Sequence, residues 1–465
     1  MRARSSLALC LLLAAACHTP AAEVWVTTGD QRKLLAREPD VAFGSDGSAE
    51  LPAIEVADTG GFQEIVGFGA AITDASAILI NGLPPAQRER LLRDLFDPDS
   101  GVGFSFTRLT IGASDFSPSH YTFDDMPPGQ RDPTLARFSI EPDRANRLPL
   151  VRRALAINPA LKVMASPWSA PAWMKTSDKL IKGSLRPDAY EAFAEYLARY
   201  VDAYAAEGVP IFALTIQNEP HFEPGDYPGM RVEPPARARF IGGFLGPRLK
   251  RGASRTQIFE WDHNWDEPAS PLAVLGDSVA RRYVAAVAWH CYGGDVTAQA
   301  AVHDSFPDID TYFTECSGGE WAPKFGDNLV WNVRTLVVGA TRNWARGVLL
   351  WNLALDENHG PHLGGCGNCR GVVTIDSKTG AVTRNVEYYA LAHASRFVRP
   401  GARRVASTSG VAGLETVAFR NPDRSTVLIV VNTTGAERRF VVRAHGRALE
   451  FGLAAGAVAT LRWSG

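Results

Sequence analysis

Two apolar, β-prone stretches of the chain each end on a single glutamate. The sequence TIQNEP begins at Thr215 and reaches Glu219, and the sequence TYFTECSGG begins at Thr311 and reaches Glu315. A polar residue directly after an apolar strand is a candidate for chemistry, because barrel enzymes carry their functional residues where the strands end. A fold that gathered both strand ends would therefore place two carboxylates in one cleft.

Two carboxylates that face one cleft, between aromatic walls, suit the cleavage of a glycosidic bond. One must hold a proton near neutral pH and donate it to the leaving oxygen, while the other stays charged beside an oxocarbenium-like transition state. A glutamate after a strand is more often a helix cap or a loop ion-pair residue. The tripeptide Asn218-Glu219-Pro220 alone therefore does not establish catalysis.

Aromatic and polar residues follow several of the other predicted strands. The run SPWSAPAWMK with Trp168 follows the third strand, the run WHCY ends the sixth, and Trp351 ends the eighth. Aromatic rings stack on the apolar faces of a sugar, and Asn, Asp and His side chains bind its hydroxyls. Each tryptophan alone would also suit a barrel core, but together they favour a sugar-binding cleft that uses no metal and no cofactor.

The elements that would position these residues alternate from about Ala70 to Ala394. Short apolar runs are followed by longer helix-like stretches, such as the amphipathic helix predicted over Asp188–Tyr204, which is typical of βα units around a parallel sheet. Eight strands close a (β/α)8 barrel. The eight candidates are Ile65–Ala71, Ser105–Ile111, Lys162–Ser166, Phe212–Gln217, Gln257–Trp261, Ala285–His290, Thr311–Thr314 and Gly347–Trp351.

Both ends of the chain have a different pattern. From roughly Phe397 onward, and again over Val24–Val56, short alternating segments separated by turn residues predict β-strands. The predicted fold class is therefore α/β, a (β/α)8 TIM barrel with an all-β sandwich side domain built from both chain ends. The predicted boundaries are 23–61 for the N-terminal strands of the sandwich, 62–395 for the barrel and 396–465 for the C-terminal strands.

Residues 1–22 have the order of an export signal: two arginines, an apolar run over Leu7–Ala16 and then small residues. The run is too short to span a bilayer, and no later segment is apolar for long enough to do so. Ala14-Ala15-Ala16-Cys17 resembles a lipoprotein cleavage box. The sequence therefore predicts an exported protein, periplasmic, secreted or held at the cell surface by a lipid anchor at Cys17.

The charges almost cancel, since the chain has 48 Lys and Arg residues and 50 Asp and Glu residues. This balance leaves no basic footprint for nucleic acid or an anionic membrane. The composition favours a neutral partner, and the carboxylates and aromatic residues described above make a neutral carbohydrate, whether a β-glucoside, a glycolipid or a glucan, the expected one.

Four cysteines follow the predicted signal. Cys366 and Cys369 favour a small disulfide in an exported protein over a zinc site, which would need a second pair of ligands. Cys291 and Cys316 each follow a candidate site residue and are expected to be buried, unreactive thiols.

The chain resembles glycoside hydrolase family 30, which contains lysosomal glucosylceramidase and bacterial and fungal relatives that include β-1,6-glucanases. The matching stretches occur in family order from about residue 62 to 395, and the flanking β segments resemble the family's split side domain. These stretches are GFGAAITDA, SDFS, SPWSAPAWMKT, QNEP, WHCY, FTEC and WNLALDENHGP.

The resemblance assigns a role to each matching position. It implies that Glu219 is the general acid/base, that Glu315 is the nucleophile and that Asn218 binds the sugar 2-hydroxyl. Arg108 would lie beside the carboxylates and keep Glu315 ionised, because a nearby cation lowers the pKa of a carboxyl group. The other substrate-binding residues implied are Asp115 and Trp168 at the outer hydroxyls, and His290, Tyr292 and Trp351 around the same pocket.

The substrate is the part of the prediction that the resemblance leaves open. Relative to lysosomal glucosylceramidase, the chain differs at Gln217, at Ala70 and in the loop Gly364–Cys369. We expect a retaining β-glycosidase of glucosylceramidase type, with a β-1,6-glucanase or a β-xylosidase as alternatives. A non-catalytic carbohydrate-binding surface lipoprotein is the alternative of another class. Asp262–Asn264 is a further candidate contact at the rim.

Overall fold

The computed structural model describes residues 20–45, 47–57, 60–252 and 254–464. Residues 1–19 of the predicted export signal, with Cys17, lie outside these residues, whereas Ala21 and Ala22 begin the first strand of the side domain. Within the described ranges, no helix combines the length and the apolar character needed to cross a bilayer.

Eight parallel strands form the predicted barrel. They are β1 (Gly67–Ala70), β2 (Phe106–Ile111), β3 (Lys162–Pro167), β4 (Ile211–Thr215), β5 (Gln257–Asn264), β6 (Val284–His290), β7 (Asp310–Glu315) and β8 (Ala345–Leu350). The sheet order is β1-β8-β7-β6-β5-β4-β3-β2. Backbone hydrogen bonds from Ser105 N to Phe68 O (3.1 Å) and from Ile72 N to Arg108 O (2.9 Å) connect the two ends of that order.

Strand β5 continues three residues beyond its predicted end because its backbone is irregular. Trp261 and Asp262 have φ values of 75° and 57°, and the pairing with β6 shifts register between Trp261 and His263. Such a bulge re-aims the side chains that follow it. The indole of Trp261 packs outside the barrel under the guanidinium of Arg237, whereas Asp262 points into the interior.

The lower interior of the barrel is an apolar layer. Because side chains alternate along a strand, each inward residue is followed two positions later by another inward residue nearer the C-terminal end. The lower layer is closely packed and includes a Phe259–Tyr312 ring pair with centroids 4.4 Å apart. Its members are Phe106, Met164, Ala213, Phe259, Ala286, Ala288, Tyr312 and Leu349.

Helices surround the barrel, and most of them bury an apolar stripe against the strands. The predicted helix between β3 and β4 runs over Tyr190–Ala206 and buries Phe193, Leu197 and Val201. The main outer helices are Asp74–Gly82, Pro85–Phe96, Arg147–Ile157, Tyr190–Ala206, Pro234–Phe240, Gly246–Arg251, Ala269–Gly276, Ala298–Ser305, Phe325–Trp331 and Val386–Ser395.

The side domain combines strands from both chain ends, as predicted. Its six-stranded sheet has a linear strand order from one edge to the other: Ala36–Ala42, Ala21–Thr27, Val458–Trp463, Thr426–Asn432, Leu414–Arg420 and Arg403–Val405. A second sheet contains Arg447–Leu453, Arg438–Ala444 and Ala53–Glu55. The buried His393 of the last barrel helix hydrogen-bonds Thr460 and Thr27 of the sandwich, at 2.9 and 2.8 Å.

Candidate active site

The two predicted catalytic glutamates, Glu219 and Glu315, lie at one end of the barrel. Glu315 is the last residue of β7, and Glu219 follows β4 in a left-handed backbone conformation with φ of 49°. The Glu219 N–H donates to Asp262 O at 3.0 Å, which fixes this turn. An oxygen of Glu219 lies within 4.8 Å of an oxygen of Glu315. The barrel thus brings together two carboxylates that are distant in sequence.

Arg108 connects the two sides of the cleft from below. Its side chain is fully buried and forms an ion pair with Glu315 Oε2. Its Nη2 donates to Asn218 Oδ1 and to Asp262 Oδ2, each at 2.7 Å. A guanidinium offers several donors in a fixed plane, so one arginine can position three acceptors at once.

Asp262 is the acceptor around which the floor of the site is built. It is fully buried, and its two oxygens accept hydrogen bonds from the barrel interior on all sides. Burial alone would raise the pKa of Asp262, but Arg108 and the hydrogen bonds from His290 and Thr314 hold that pKa well below its ordinary value. The donors are Arg108 Nη2 (2.7 Å), Thr314 Oγ1 (2.7 Å), Ser166 Oγ (2.8 Å), Thr215 Oγ1 (2.9 Å) and His290 Nε2 (3.0 Å).

His290 links this floor to the glutamates. Its Nε2 lies 3.0 Å from Asp262 Oδ1, and its Nδ1 lies 3.1 Å from Glu219 Oε1 and 3.9 Å from Glu315 Oε1. Burial would lower the pKa of His290, but the charge of Glu315 and the bonds to Asp262 and Glu219 raise it to about 9. The ring therefore carries both protons at neutral pH and donates to a carboxylate at each end.

The pKa values of the two glutamates move in opposite directions. Burial raises the pKa of Glu315 above its ordinary value, against the opposing charges of His290 and Arg108. Burial also acts on Glu219, but the hydrogen bond from His290 and the charges of His263 and His290 outweigh it and lower that pKa. These directions are opposite to those expected for a Glu219 acid and a Glu315 nucleophile. His290, whose pKa is raised, lies at hydrogen-bond distance from Glu219 and can supply a proton to it.

Tyr292, predicted to line the pocket, contacts the second glutamate. Its hydroxyl donates to Glu315 Oε1 at 3.0 Å, while the ring itself is half exposed at the mouth of the cleft. Glu315 is therefore oriented from two sides, by Arg108 at one oxygen and by Tyr292 at the other.

The two predicted tryptophans pack on each other. The rings of Trp168 and Trp351 stack with centroids 5.0 Å apart and an interplanar angle of 19°. The guanidinium carbon of Arg108 lies 4.9 Å from the Trp168 centroid, a cation–π contact that also shields the buried charge. These tryptophans are buried, yet both border the cleft, so the core and the cleft interpretations both hold.

The cleft has a volume of about 560 Å³. It contains the predicted residues Asp115, Trp168, Asn218, Glu219, Tyr292, Glu315 and Trp351, while Arg108 and His290 lie beneath. Burial and the charges of Glu315 and Glu219 raise the pKa of Asp115 well above its ordinary value. Three aromatic residues of the lining, Phe222, Tyr227 and Trp321, were not predicted from the sequence. They lie within the segments after β4 and β7, several residues beyond the ends of those barrel strands.

The predicted rim segment Asp262–Asn264 divides between two places. His263 and Asn264 border the cleft as expected, but Asp262 does not. The bulge in β5 turns Asp262 inward to the floor, where it is fully buried. The rim contact predicted for Asp262 is therefore wrong.

The prediction of free thiols at Cys291 and Cys316 is also wrong, because the two form a disulfide with a Cα–Cα distance of 5.4 Å. The preceding residues, His290 and Glu315, are register partners in β6 and β7, so the next two positions lie side by side. Cys366 and Cys369 form the predicted small disulfide.

Glu219, His290 and Glu315 also have ligand atoms close enough together to hold a metal ion. A metal requires an imidazole nitrogen with a free lone pair. Both nitrogens of His290 instead lie at hydrogen-bond distance from carboxylates, which is the arrangement of a ring that exchanges protons with them.

Comparisons with known proteins agree with this arrangement. The Glycosyl hydrolase family 30 TIM-barrel domain matches residues 65–398, and the Glycosyl hydrolase family 30 beta sandwich domain matches residues 401–461. An endo-1,6-β-D-glucanase of Aspergillus fumigatus is 37% identical over 437 residues, which is 88% of this chain and 87% of that protein. The lysosomal acid glucosylceramidase of Mus musculus is 30% identical over 414 residues, 81% of this chain and 76% of that protein.

The fold is also close to a solved structure. An endo-β1,6-glucanase superimposes with a TM-score of 0.88 at 32% identity, covering 96% of this chain and 99% of that one. The chain therefore belongs to glycosyl hydrolase family 30 and is a glycoside hydrolase that acts on O-glycosyl bonds.

Proposed function

We propose that this enzyme hydrolyses β-glucosidic bonds with retention of configuration, through a covalent glycosyl-enzyme. The observation that carries the proposal is the approach of the Glu219 and Glu315 oxygens to within 4.8 Å. Retaining enzymes keep their carboxyl groups about 5–5.5 Å apart, whereas inverting enzymes need about 6.5–9.5 Å to admit a water molecule. The shorter separation leaves no room for a water molecule between Glu315 and the sugar, so Glu315 itself is placed to attack.

Glu315 is the proposed nucleophile. Arg108 and Tyr292 hold its two oxygens, so the carboxylate is oriented before the sugar arrives and loses little freedom in the reaction. One Glu315 oxygen attacks the anomeric carbon, the bond to the leaving oxygen breaks, and an ester forms. The second step reverses this order, with water as the attacking group.

Glu219 is the proposed acid and then the base, with His290 as the store of its proton. The charge of Glu315 is the strongest influence that raises the pKa of His290, and ester formation removes that charge. As Glu315 loses its charge in the first transition state, the His290 proton moves across the 3.1 Å bond to Glu219, which protonates the leaving oxygen while the glycosidic bond breaks. In the second step Glu219 takes a proton from the attacking water, the ionised Glu315 leaves, and its restored charge returns the proton to His290.

The remaining residues would bind the sugar that forms the ester. Asn218 lies beside the acid and is oriented by Arg108, which leaves its amide nitrogen free to donate to the 2-hydroxyl. Asp115, Trp168 and Trp351 come from the ends of β2, β3 and β8 and form one wall of the cleft. Its mixture of rings and a carboxyl group suits the faces and hydroxyls of a hexose.

A β-1,6-linked glucan is the substrate that we favour. The endo-1,6-β-D-glucanase of Aspergillus fumigatus is more similar to this chain than the lysosomal acid glucosylceramidase of Mus musculus, at 37% against 30% identity. A glycolipid β-glucoside remains the second candidate because that match still covers 81% of the chain. Hydrolysis rates on β-1,6-glucan, glucosylceramide, and aryl β-glucosides and β-xylosides test the order. Faster hydrolysis of glucosylceramide than of glucan would reverse it, and glucan binding without any hydrolysis would contradict the catalytic assignment.

We also propose that the enzyme is exported, on the basis of residues 1–22. Mass spectrometry of the mature N-terminus tests this proposal. A lipidated Cys17 would identify a surface-anchored enzyme, a start near Glu23 would identify a secreted or periplasmic one, and an intact Met1 would contradict export.

A further inference from the structure

A second cavity of about 700 Å³ lies next to the catalytic cleft. Its walls come from the segment that follows β7 and from the helix Phe325–Trp331, and the Cys291–Cys316 disulfide borders it. None of the sugar contacts proposed above, apart from Tyr292, belongs to it. Its lining includes Tyr292, Ser317, Trp321, Lys324, Asp327 and Trp331.

The two cavities are adjacent, and Tyr292, Ser317 and Trp321 line both of them. Tyr292 stands at the junction and touches Glu315 through its hydroxyl. The second cavity therefore borders the part of the cleft that holds Glu315.

The position around the barrel assigns a side to each cavity. Asp115 and Trp168 follow β2 and β3, whereas the second cavity follows β6 and β7. In a barrel of eight strands, β2 is opposite β6 and β3 is opposite β7. A chain whose ester-forming sugar lies against Asp115 and Trp168 can therefore continue past Glu219 and across the cleft toward the second cavity.

The surface of the second cavity suits a neutral ring. Trp321 and Trp331 are 55% and 43% exposed, and both line this cavity. Exposed apolar rings that share one cavity are typical of a binding surface. Lys324 and Asp327 lie 3.8 Å apart at its open edge, so their charges offset each other. Exposed indole faces with polar groups at the edge match the apolar faces and peripheral hydroxyls of a sugar.

Trp321 is held in place although it is exposed. Its ring lies against the backbone of Gly319, where a Cβ atom would come within 2.0 Å of the ring. The short strand Gly318–Gly319 is itself fixed by pairing with Cys369–Arg370. A rigid indole platform costs little entropy when a ligand stacks on it, which is a property of a prepared binding surface.

We propose that this groove binds the glucan units on the leaving-group side of the scissile bond, with Trp331 contacting a unit beyond the first. The assignment rests on the proposed function, because it takes the ester-forming sugar to lie between Asp115 and Glu315. It makes the enzyme one that recognises a chain rather than a terminal glucoside alone.

The test compares Trp331→Ala with the unaltered enzyme on β-1,6-linked gluco-oligosaccharides of two to six units and on 4-nitrophenyl β-glucoside. Stacking on an aromatic ring contributes about 0.5–1.5 kcal/mol, so kcat/KM on the longer oligosaccharides should fall roughly 2- to 12-fold. The value on the aryl glucoside should not change, since that leaving group does not reach Trp331. Trp331→Phe should retain most of the oligosaccharide rate.

Phe62→Ala is the matched control, because Phe62 is an exposed ring that lines neither cavity. It should leave both rates unchanged. Equal losses of Trp331→Ala on both substrates, or no loss on either, would overturn the assignment. A loss confined to glucosylceramide would identify an acyl chain as the occupant and also overturn it. If the unaltered enzyme cleaves no β-1,6 oligosaccharide, the proposed glucan substrate itself fails, which is a separate outcome.

Discussion

Two layers of side chains fill the barrel, and they differ in chemistry although the same strands build them. The lower layer is apolar and includes Phe106, Met164 and Tyr312. Two positions further along the same strands stand Arg108, Ser166 and Thr314, which all bind the charged floor of the cleft. Burial is nearly complete in both layers, so burial alone does not distinguish a packing residue from a functional one.

The difference lies in what each layer requires of its neighbours. An apolar layer needs only complementary volume, and volume-conserving changes within it are tolerated. A buried charge must instead find its partner and its hydrogen bonds, because an unpaired one costs several kcal/mol. Arg108 and Asp262 satisfy this demand by sharing one network with both glutamates. We therefore expect the lower layer to set stability and the upper layer to set activity.

The largest effect should follow removal of either glutamate from the upper layer. Glu315→Gln cannot form the ester and should lower kcat roughly 10⁴- to 10⁶-fold, the range found when members of a catalytic group are removed. Glu219→Gln should slow poor leaving groups far more than 4-nitrophenol, which needs no proton. Steady-state rates on paired substrates measure both. If both variants kept the parental rate, the upper layer would have no catalytic role.

A smaller effect is expected from Asp262→Asn, which leaves Arg108 and His290 without their shared acceptor. We expect kcat to fall roughly 10²-fold, as when one preorganised polar partner is removed. The alkaline limb of the pH profile should also move to lower pH, because Asp262 helps to raise the pKa of His290.

Glu260→Gln is the matched control, since Glu260 lies on the same strand but pairs with Arg237 outside the barrel, also fully buried. It should lower the melting temperature and leave kcat and the pH profile unchanged. Equal effects of the two variants on kcat would contradict a specific role for the inner carboxylate.

The pH dependence of kcat/KM should show the same network. Activity needs ionised Glu315, so it should rise with pH through the raised pKa of that group, above the ordinary glutamate value of 4.5. Activity also needs the proton on His290, so it should decline as pH rises through about 9. His290→Asn should shift the alkaline limb downward, and an unchanged limb would show that another group controls it.

The smallest effect on activity is expected from the lower layer. Met164→Ala removes a fully buried side chain two positions before Ser166 and should lower the free energy of unfolding by about 2–5 kcal/mol. At a temperature where the variant is folded, kcat should stay within roughly twofold of the parent, because no charged group moves. Chemical denaturation and initial rates measure the two quantities. A large loss of kcat without a loss of stability would remove the distinction between the layers.

The sequence was informative wherever function coincides with a strand end. Buried parallel strands appear as apolar runs, so Glu219 and Glu315 were visible as the carboxylates that end two of those runs, and Trp351 as the aromatic residue that ends a third. The same logic located the barrel and the divided side domain.

Features that depend on backbone register or on the surrounding charges could not be found in this way. Asp262 reaches the floor only because Trp261 and Asp262 take positive φ within a strand, a conformation that β-propensity does not encode. The Cys291–Cys316 disulfide required the pairing of β6 with β7. The proton on His290 follows from three carboxylates that meet only in the folded chain.

The central claim is that Glu315 forms a covalent bond to the sugar while Glu219 lies opposite it. Incubation with an activated 2-deoxy-2-fluoro-β-glucoside slows the second step and should leave one sugar attached per protein molecule. Peptide mapping by mass spectrometry should then find the label on Glu315, within the peptide that contains TYFTEC. A label on any other residue, or turnover with inversion and no label, would contradict the account.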